Sequence, residues 1–172
     1  MRLVMGVLCA VVMLTAAGCS KHIGYNTPES KFIYYDGPDV TRIEIHKSTR
    51  RMYLFHHDEV LKAYGVELGF APVGDKQIEG DGRTPEGRYA INRRNPNSRF
   101  YLSLGISYPN ARDRAEATAL GKSAGGDIFI HGTPHAFRHA DDWTQGCIAV
   151  TNAEMRQVYA MVQNGTIIDI FP

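Results

Sequence analysis

The chain has 172 residues, 19 of them Lys or Arg and 18 Asp or Glu, and a formal net charge of +1. These charges form neither a basic stripe for nucleic acid nor a polybasic patch for a membrane surface, so we expect no nucleic-acid partner. About 150 residues follow the leader described next, enough for one domain with a good core but too few for two.

Residues 1–18 have the layout of a bacterial export signal. Arg2 is followed by the apolar run Leu3–Leu14 and then by small residues, the three-part order of a signal that is removed on export. The run is shorter than the about 20 apolar residues that a membrane-spanning helix needs. We therefore predict export to the periplasm, with Cys9 as apolar filler within the leader.

The leader ends in AAGC, which resembles a lipobox whose Cys19 would become the lipidated first residue. That pattern prefers Leu where this chain has Ala16, and ordinary cleavage near this point would instead release a soluble protein. The cysteine stands at the expected junction, which favours lipidation. The prediction is a lipoprotein that meets the membrane only through its anchor, with residues 19–40 as a tether on which Phe32–Tyr35 docks against the domain.

From residue 41 the apolar pattern becomes period two, which is typical of strands. TRIEIHK is the first such run, and RRMYLFHHDEVLKAYGVELGF holds two runs around a polar turn at His57–Glu59, which predicts a β-hairpin. The alternating apolar positions of its second run are Val60, Tyr64, Val66, Leu68 and Phe70. The segments RTPEGRYAI, RFYLSLGIS, DIFIH and TIIDIF predict further strands.

Two helices are expected between these strands. PNARDRAEATALG should start at Pro109 and end near Gly121. TNAEMRQVYAMVQNG has Thr151 as N-cap and Glu154 three residues later, which is a capping box. Its apolar face consists of Met155, Val158, Met161 and Val162. The predicted class is mostly β with two short peripheral helices.

Cys147 is the only cysteine after Cys19. Exported proteins usually pair or avoid cysteines, so an unpaired thiol indicates a reactive group or an intermolecular bond. His131, sixteen residues earlier, can take the thiol proton to form a thiolate–imidazolium pair and later protonate a leaving amine. Gly146 would leave room for a substrate backbone, and the N–H groups of Gly146 and Cys147 can bind an oxyanion.

Two other interpretations of these residues remain open. A lone buried Cys is commonly a small hydrophobe, and a strand-end His is commonly structural. The histidines of this region also recur every four residues among possible zinc ligands, which are His131, His135, His139, Asp141, Asp142 and Cys147. Pro134 argues against a helix that would place the three histidines on one face, so we expect no metal.

The residues around Cys147 resemble the active-site signature of the L,D-transpeptidase (YkuD-type) family, a histidine followed by Ser/Thr-x-Gly-Cys-Ile-x-x-x-Asn. The matching residues are His131, Thr144, Gly146, Cys147, Ile148 and Asn152. GDGRTPEGRY resembles the family's Gly-x-Thr-Pro-x-Gly-x-Tyr turn, and KSTRRMYLF resembles its opening hairpin. The resemblance covers residues 41–171.

This resemblance implies a β-sandwich or barrel-like catalytic domain with Cys147 as nucleophile, His131 as base and the Gly132 carbonyl orienting the imidazole. Substrate contacts would come from Thr144, Gln145 and Gly146. The implied substrates are peptidoglycan stem peptides. D-alanine is released, and the acyl group passes from the cysteine to an amine of diaminopimelate or of a wall-anchored lipoprotein, without a cofactor.

Two positions depart from the family pattern. Many relatives have His where this chain has Gln145 and Arg where it has Ala149, and such an arginine can bind a substrate carboxylate. Arg138 and Arg83 are candidates to replace it. The acyl acceptor stays open between amine and water. Alternative predictions are therefore an L,D-carboxypeptidase, an amidase that releases wall-bound lipoprotein, and a non-catalytic peptidoglycan-binding lipoprotein.

Overall fold

The structure is a computed structural model that describes residues 30–172. The predicted export signal, Cys19 and the first part of the tether lie outside the described residues. In chain order the elements are β1 (Arg42–His46), β2 (Arg51–His56), β3 (Glu59–Gly65), β4 (Gly87–Asn95), β5 (Ser103–Ile106), α1 (Ala111–Ala119), β6 (Phe129–Gly132), β7 (Ile148–Val150), α2 (Asn152–Met161) and β8 (Ile167–Phe171). No helix in this part of the chain is long and apolar enough to cross a membrane.

The strands form one sheet in the order β3-β2-β1-β8-β4-β5-β6-β7. β1 pairs with β8, and β6 with β7, in parallel, while the other neighbours are antiparallel. The segment after β3 then reaches the opposite edge through bridges from Glu67 to Ala149 and from Gly69 to Thr144. Because these bridges join the two edges, the sheet is nearly closed, and the predicted mostly β, barrel-like class is confirmed.

The second helix is built as its sequence predicts. The Thr151 hydroxyl accepts a hydrogen bond from the Glu154 N–H at 3.3 Å, and the Glu154 carboxylate accepts one from the Thr151 N–H at 2.9 Å. This capping box satisfies backbone donors at the helix start. The apolar face is buried throughout, at Met155, Val158, Met161 and Val162. Helix α2 packs on β5 and β6 and so supports the strand that carries His131.

The hairpin forms, but its second strand does not keep one face throughout. The pairing of β2 with β3 shifts register between Leu54 and Phe55, which places Val60 opposite Phe55. Cross-strand partners share a face, and Phe55 lies on the outer face, so Val60 is exposed to 48%. Tyr64 pairs with the inward-facing residue at position 52 and is buried, as the alternation predicts.

Two predicted boundaries are wrong. Helix α1 begins at Ala111 with Asn110 as N-cap, rather than at Pro109. The strand predicted in RFYLSLGIS is confined to β5, because the residues before it form a turn. Tyr101 has a φ of 75°, and the Leu102 N–H donates to the Phe100 carbonyl at 3.0 Å. This turn brings residues 99–100 beside β6.

Residues 30–40 lie along the domain. The Phe32 ring lies 6.3 Å from that of Tyr159 between centroids, and Tyr35 packs partly buried against the core. Val40 is itself a core residue, with 7% of its surface exposed. The described part of the predicted tether therefore contacts the domain, as expected for Phe32–Tyr35.

Candidate active site

His131 is held in one orientation and one tautomer. It lies on β6 between β5 and β7, and only 2% of its surface is exposed. Its Nδ1 lies 2.8 Å from the carbonyl oxygen of Gly132. Because a carbonyl oxygen only accepts hydrogen bonds, Nδ1 carries the proton and Nε2 keeps a lone pair. The structure thus places the Gly132 carbonyl where an orienting group was expected.

Aromatic rings enclose the imidazole. Phe100 stacks on His131 with 4.5 Å between centroids and 25° between planes, and Trp143 meets it edge-on at 5.6 Å. Phe137 stacks in turn on Trp143 at 4.3 Å. Burial lowers the pKa of His131 from its ordinary 6.5, against the opposing effect of the hydrogen bond to Gly132. The imidazole is therefore neutral at neutral pH and able to accept a proton.

Cys147 lies immediately before β7, which pairs with β6, the strand that carries His131. In the parallel β6–β7 pair Ile130 is opposite Ile148, so Phe129 is opposite Cys147. Strand residues two apart face the same side, which puts His131 and Cys147 on one face. Both line a cavity of about 380 Å³. The resting thiol donates to the Asp127 carbonyl at 3.6 Å, and thiol and imidazole line one cavity that a substrate can enter.

The resting thiol is neutral. Burial raises the pKa of Cys147 above its ordinary 9.0, and the Asp127 carboxylate adds to this, while a hydrogen bond from the Phe129 backbone and the charge of Lys76 oppose it. Together with the lowered pKa of His131, this favours a resting pair of thiol and imidazole over thiolate and imidazolium. His131 then acts as a general base during the attack itself.

Thr144 builds the turn that presents the thiol. Its hydroxyl donates to the Cys147 carbonyl at 2.7 Å and accepts from the Gly146 N–H at 3.1 Å. The side chain is 3% exposed. Its hydroxyl is thus engaged in the turn, and a contact of Thr144 with substrate stays a prediction. The Gly146 N–H is occupied by the same bond and is not free to bind an oxyanion.

The space beside Gly146 is filled by the protein itself. Gly146 has a φ of 122°, and an ideal Cβ at this position would lie 2.5 Å from the carbonyl oxygen of Arg83. The glycine is therefore needed for the turn and for close backbone packing. Gln145, by contrast, is exposed and lines a second cavity of about 330 Å³ beside Cys147. Of Thr144, Gln145 and Gly146, the three residues expected to contact substrate, Gln145 is the one exposed in this cavity.

Of the three histidines that suggested zinc, His131 is separated from the other two. His135 and His139 line a different cavity of about 590 Å³, together with Arg138, whose guanidinium contacts both rings. Within residues 30–172, no three His, Cys, Asp or Glu side chains are grouped so that they could hold a metal ion.

Neither arginine proposed from the sequence lines a cavity beside the thiol. Arg138 lines the cavity of His135 and His139, and the Arg83 side chain donates to the Asp75 carbonyl at 3.3 Å. Sequence reasoning instead missed Arg99 and Phe100, which line the cavity of His131 and Cys147. They stand in a segment that was predicted to be a strand, and no local sequence signal marks the contact of Phe100 with a histidine more than thirty residues away.

Known proteins are similar to this chain in sequence and in fold. The family model for the L,D-transpeptidase catalytic domain (YkuD) matches residues 40–170. The Escherichia coli K12 protein "Putative L,D-transpeptidase YafK" is 31% identical over 126 residues, which cover 70% of this chain and 46% of that protein. The chain thus spans about half the length of the curated relatives it matches.

Solved structures share the fold of this chain. The helical cell shape determining protein Pgp2 from Campylobacter jejuni superposes with a TM-score of 0.61 at 27% identity, over 84% of this chain and 51% of that chain. An L,D-transpeptidase from Mycobacterium smegmatis shares the fold with a TM-score of 0.53 at 12% identity, over 77% of this chain and 59% of that one. The chain therefore belongs to the L,D-transpeptidase catalytic domain family.

Proposed function

We propose that this protein is a peptidoglycan-modifying cysteine acyltransferase that forms a thioester between Cys147 and a stem peptide and passes the acyl group to an amine. The observation that carries this proposal is the shared cavity of Cys147 and His131, with the imidazole tautomer fixed by the Gly132 carbonyl. A module that only binds peptidoglycan has no need of a thiol and an oriented base in one cavity. Membership of the family supports the same chemistry.

The residues of the site account for both halves of the reaction. His131 Nε2 takes the thiol proton while Cys147 Sγ attacks the carbonyl carbon at the L-centre of diaminopimelate. The C–N bond then breaks, and the imidazolium gives its proton to the amine of the departing D-alanine. In the second half an amine attacks the thioester, the C–S bond breaks, and His131 carries the proton from the amine back to sulfur. These steps require no cofactor.

Glu79 supports an amine as acceptor. Its carboxylate lines the second cavity beside Cys147 and attracts cationic amines, whereas the Asp127 and Lys76 charges of that cavity are paired with Arg93 and Asp81. Water in place of the amine would release a tripeptide, as an L,D-carboxypeptidase does. Hydrolysis of a wall–lipoprotein amide would make the protein an amidase.

The test is mass spectrometry of disaccharide-tetrapeptide muropeptides incubated with the purified protein. We expect a Cys147-linked acyl intermediate and a crosslinked product. Cys147→Ala should remain folded and give neither, and His131→Ala should lose at least about 10²-fold in rate, because a general base is removed. His139→Ala is the matched control, since this histidine lies on another cavity, and should retain full activity. Turnover by Cys147→Ala would refute the mechanism, and tripeptide without crosslink would assign water as acceptor.

We also propose that the protein is held in the periplasm by a lipid on Cys19, where it would meet peptidoglycan. The leader and the cysteine at its end support this proposal, and the similarity to a cell shape determining protein from Campylobacter jejuni supports a role in cell shape. Wild-type protein should pellet with membranes, and Cys19→Ala should be released or left unprocessed. A wild-type protein that is fully soluble with unmodified Cys19 would contradict the anchor alone.

A further inference from the structure

We propose that Arg99 is a specificity residue that binds the carboxylate of the departing D-alanine, so that the enzyme selects stem peptides with a free C-terminal carboxylate. This inference rests on the proposed function and identifies the part of the substrate that occupies the cavity beside His131. Arg99 would also supply the positive charge that many relatives carry two residues after the cysteine, where this chain has Ala149.

Arg99 is a charged group free to bind a ligand in the catalytic cavity. It lines the cavity together with His131 and Cys147 and is exposed to solvent. Among the described residues 30–172, its guanidinium has no hydrogen bond, ion pair or ring contact. Asp127 lines the same cavity, but its carboxylate is paired with Arg93 at 2.9 Å. The uncompensated charge of the cavity is therefore positive.

The turn that carries Arg99 is attached to the catalytic strand through its neighbour Phe100. The Phe100 ring stacks on His131, and its carbonyl accepts a hydrogen bond from the Gly132 N–H at 3.0 Å. On the other side of Arg99, the Ser98 hydroxyl accepts from the Phe100 N–H at 3.1 Å. Arg99 therefore projects from a backbone that is fixed relative to the imidazole, as precise positioning of a substrate requires.

The chemistry of the reaction decides which carboxylate lies there. His131 must protonate the departing amine, so the leaving group has to occupy the cavity that His131 lines. The leaving D-alanine carries its carboxylate on the carbon next to that amine. An arginine in the same cavity can bind this carboxylate through two parallel hydrogen bonds.

The other positions considered for this role supply no free cation to that cavity. Ala149, where many relatives have arginine, is a buried uncharged residue of β7. Lys76 lines the second cavity, and its ammonium is paired with Asp81 at 2.9 Å. Arg138 lies on the separate cavity described above.

The experiment compares acylation and turnover of three synthetic stem tetrapeptides by wild type, Arg99→Ala and Arg99→Lys. One peptide ends in a free D-alanine carboxylate, and the second ends in D-alaninamide. The third has a free terminus but an amidated carboxylate on the diaminopimelate side chain. We expect wild-type kcat/KM to be about 10- to 100-fold higher for the first and third peptides than for the second, the range for a charge-assisted pair.

Arg99→Ala should lose this preference and match wild type on the amide, whereas Arg99→Lys should recover part of it through its charge. Arg51→Ala removes an exposed arginine on β2 that lines neither cavity and should behave as wild type. The rate at which iodoacetamide alkylates Cys147 should be equal in all variants, which shows that the site itself is intact.

An acid-to-amide ratio that is unchanged in Arg99→Ala would overturn the role of Arg99 while leaving the thioester mechanism standing. A preference that follows the side-chain carboxylate would overturn the assignment to the leaving group. Absence of a Cys147 thioester with every peptide would overturn the proposed function and this inference together.

Discussion

Replacing Gly146 with alanine tests whether the turn before the nucleophile depends on close backbone packing. Two effects add in this variant. A residue with a side chain at a φ of 122° is strained by about 1–3 kcal/mol. The new Cβ would also lie 2.5 Å from the Arg83 carbonyl oxygen, and such overpacking costs a further about 1–3 kcal/mol. The expected loss in the free energy of unfolding is about 2–6 kcal/mol.

The same clash predicts a loss of activity. To restore an ordinary contact of 3.4 Å, the turn and the Arg83 backbone must separate by about 0.9 Å. Cys147 follows Gly146 directly, so its sulfur moves relative to His131, and a displacement of about 1 Å can reduce a rate by about 10²-fold. Urea unfolding followed by far-UV circular dichroism measures the first effect, and muropeptide turnover measures the second.

Gly165→Ala is the matched control. Gly165 also has a positive φ, 90°, but nothing lies within 4 Å of its ideal Cβ. It should show the backbone strain alone, about 1–3 kcal/mol, and full activity. If both variants lose the same stability, or if Gly146→Ala keeps activity within about twofold of wild type where about 10²-fold is expected, the role assigned to close packing is refuted.

Two further predictions concern the protonation of the catalytic pair and the ion pair between Lys47 and Glu86. The rate of muropeptide turnover should fall as the pH drops through the lowered pKa of His131, so the acidic limb of the pH–rate profile should lie below 6.5. Iodoacetamide alkylation of Cys147 should reach half its maximum only above pH 9.0. An acidic limb above 6.5 would contradict the neutral resting pair. Lys47→Met should reduce the free energy of unfolding by about 3–5 kcal/mol, because it leaves the Glu86 carboxylate without its buried partner at 2.7 Å. The exposed Lys62→Met should change it by no more than about 0.5 kcal/mol, and equal effects of the two lysine variants in urea unfolding would contradict this reasoning.

Elements with a strong local pattern could be predicted from the sequence. The hairpin of β2 and β3 follows from alternating apolar residues around a polar turn, and α2 follows from the capping box of Thr151 and Glu154. Cys147 and His131 were identified as a candidate pair because few side chains can act as nucleophile or base, and because the residues around them match a family signature. In each case the information lies within a short stretch of chain.

Other features depend on contacts between distant segments and could not be read from any one of them. The strand predicted at residues 99–107 shortens because Phe100 stacks on His131 and turns the chain, a contact that no local pattern encodes. A bulge sends Val60 outward although the alternation placed it with Tyr64. Boundaries and face changes of this kind are decided by packing, which can override local propensity.

The sequence by itself determined which chemical groups are present, namely one thiol after Cys19, a histidine sixteen residues before it and several arginines. Only the tertiary structure decided what surrounds them. Burial keeps both Cys147 and His131 neutral, the Arg83 backbone fills the space beside Gly146, and a turn brings Arg99 to the catalytic cavity while Arg138 lies elsewhere. The physical reason is that desolvation, steric contact and charge pairing depend on distances through space, which a linear sequence of residues does not contain.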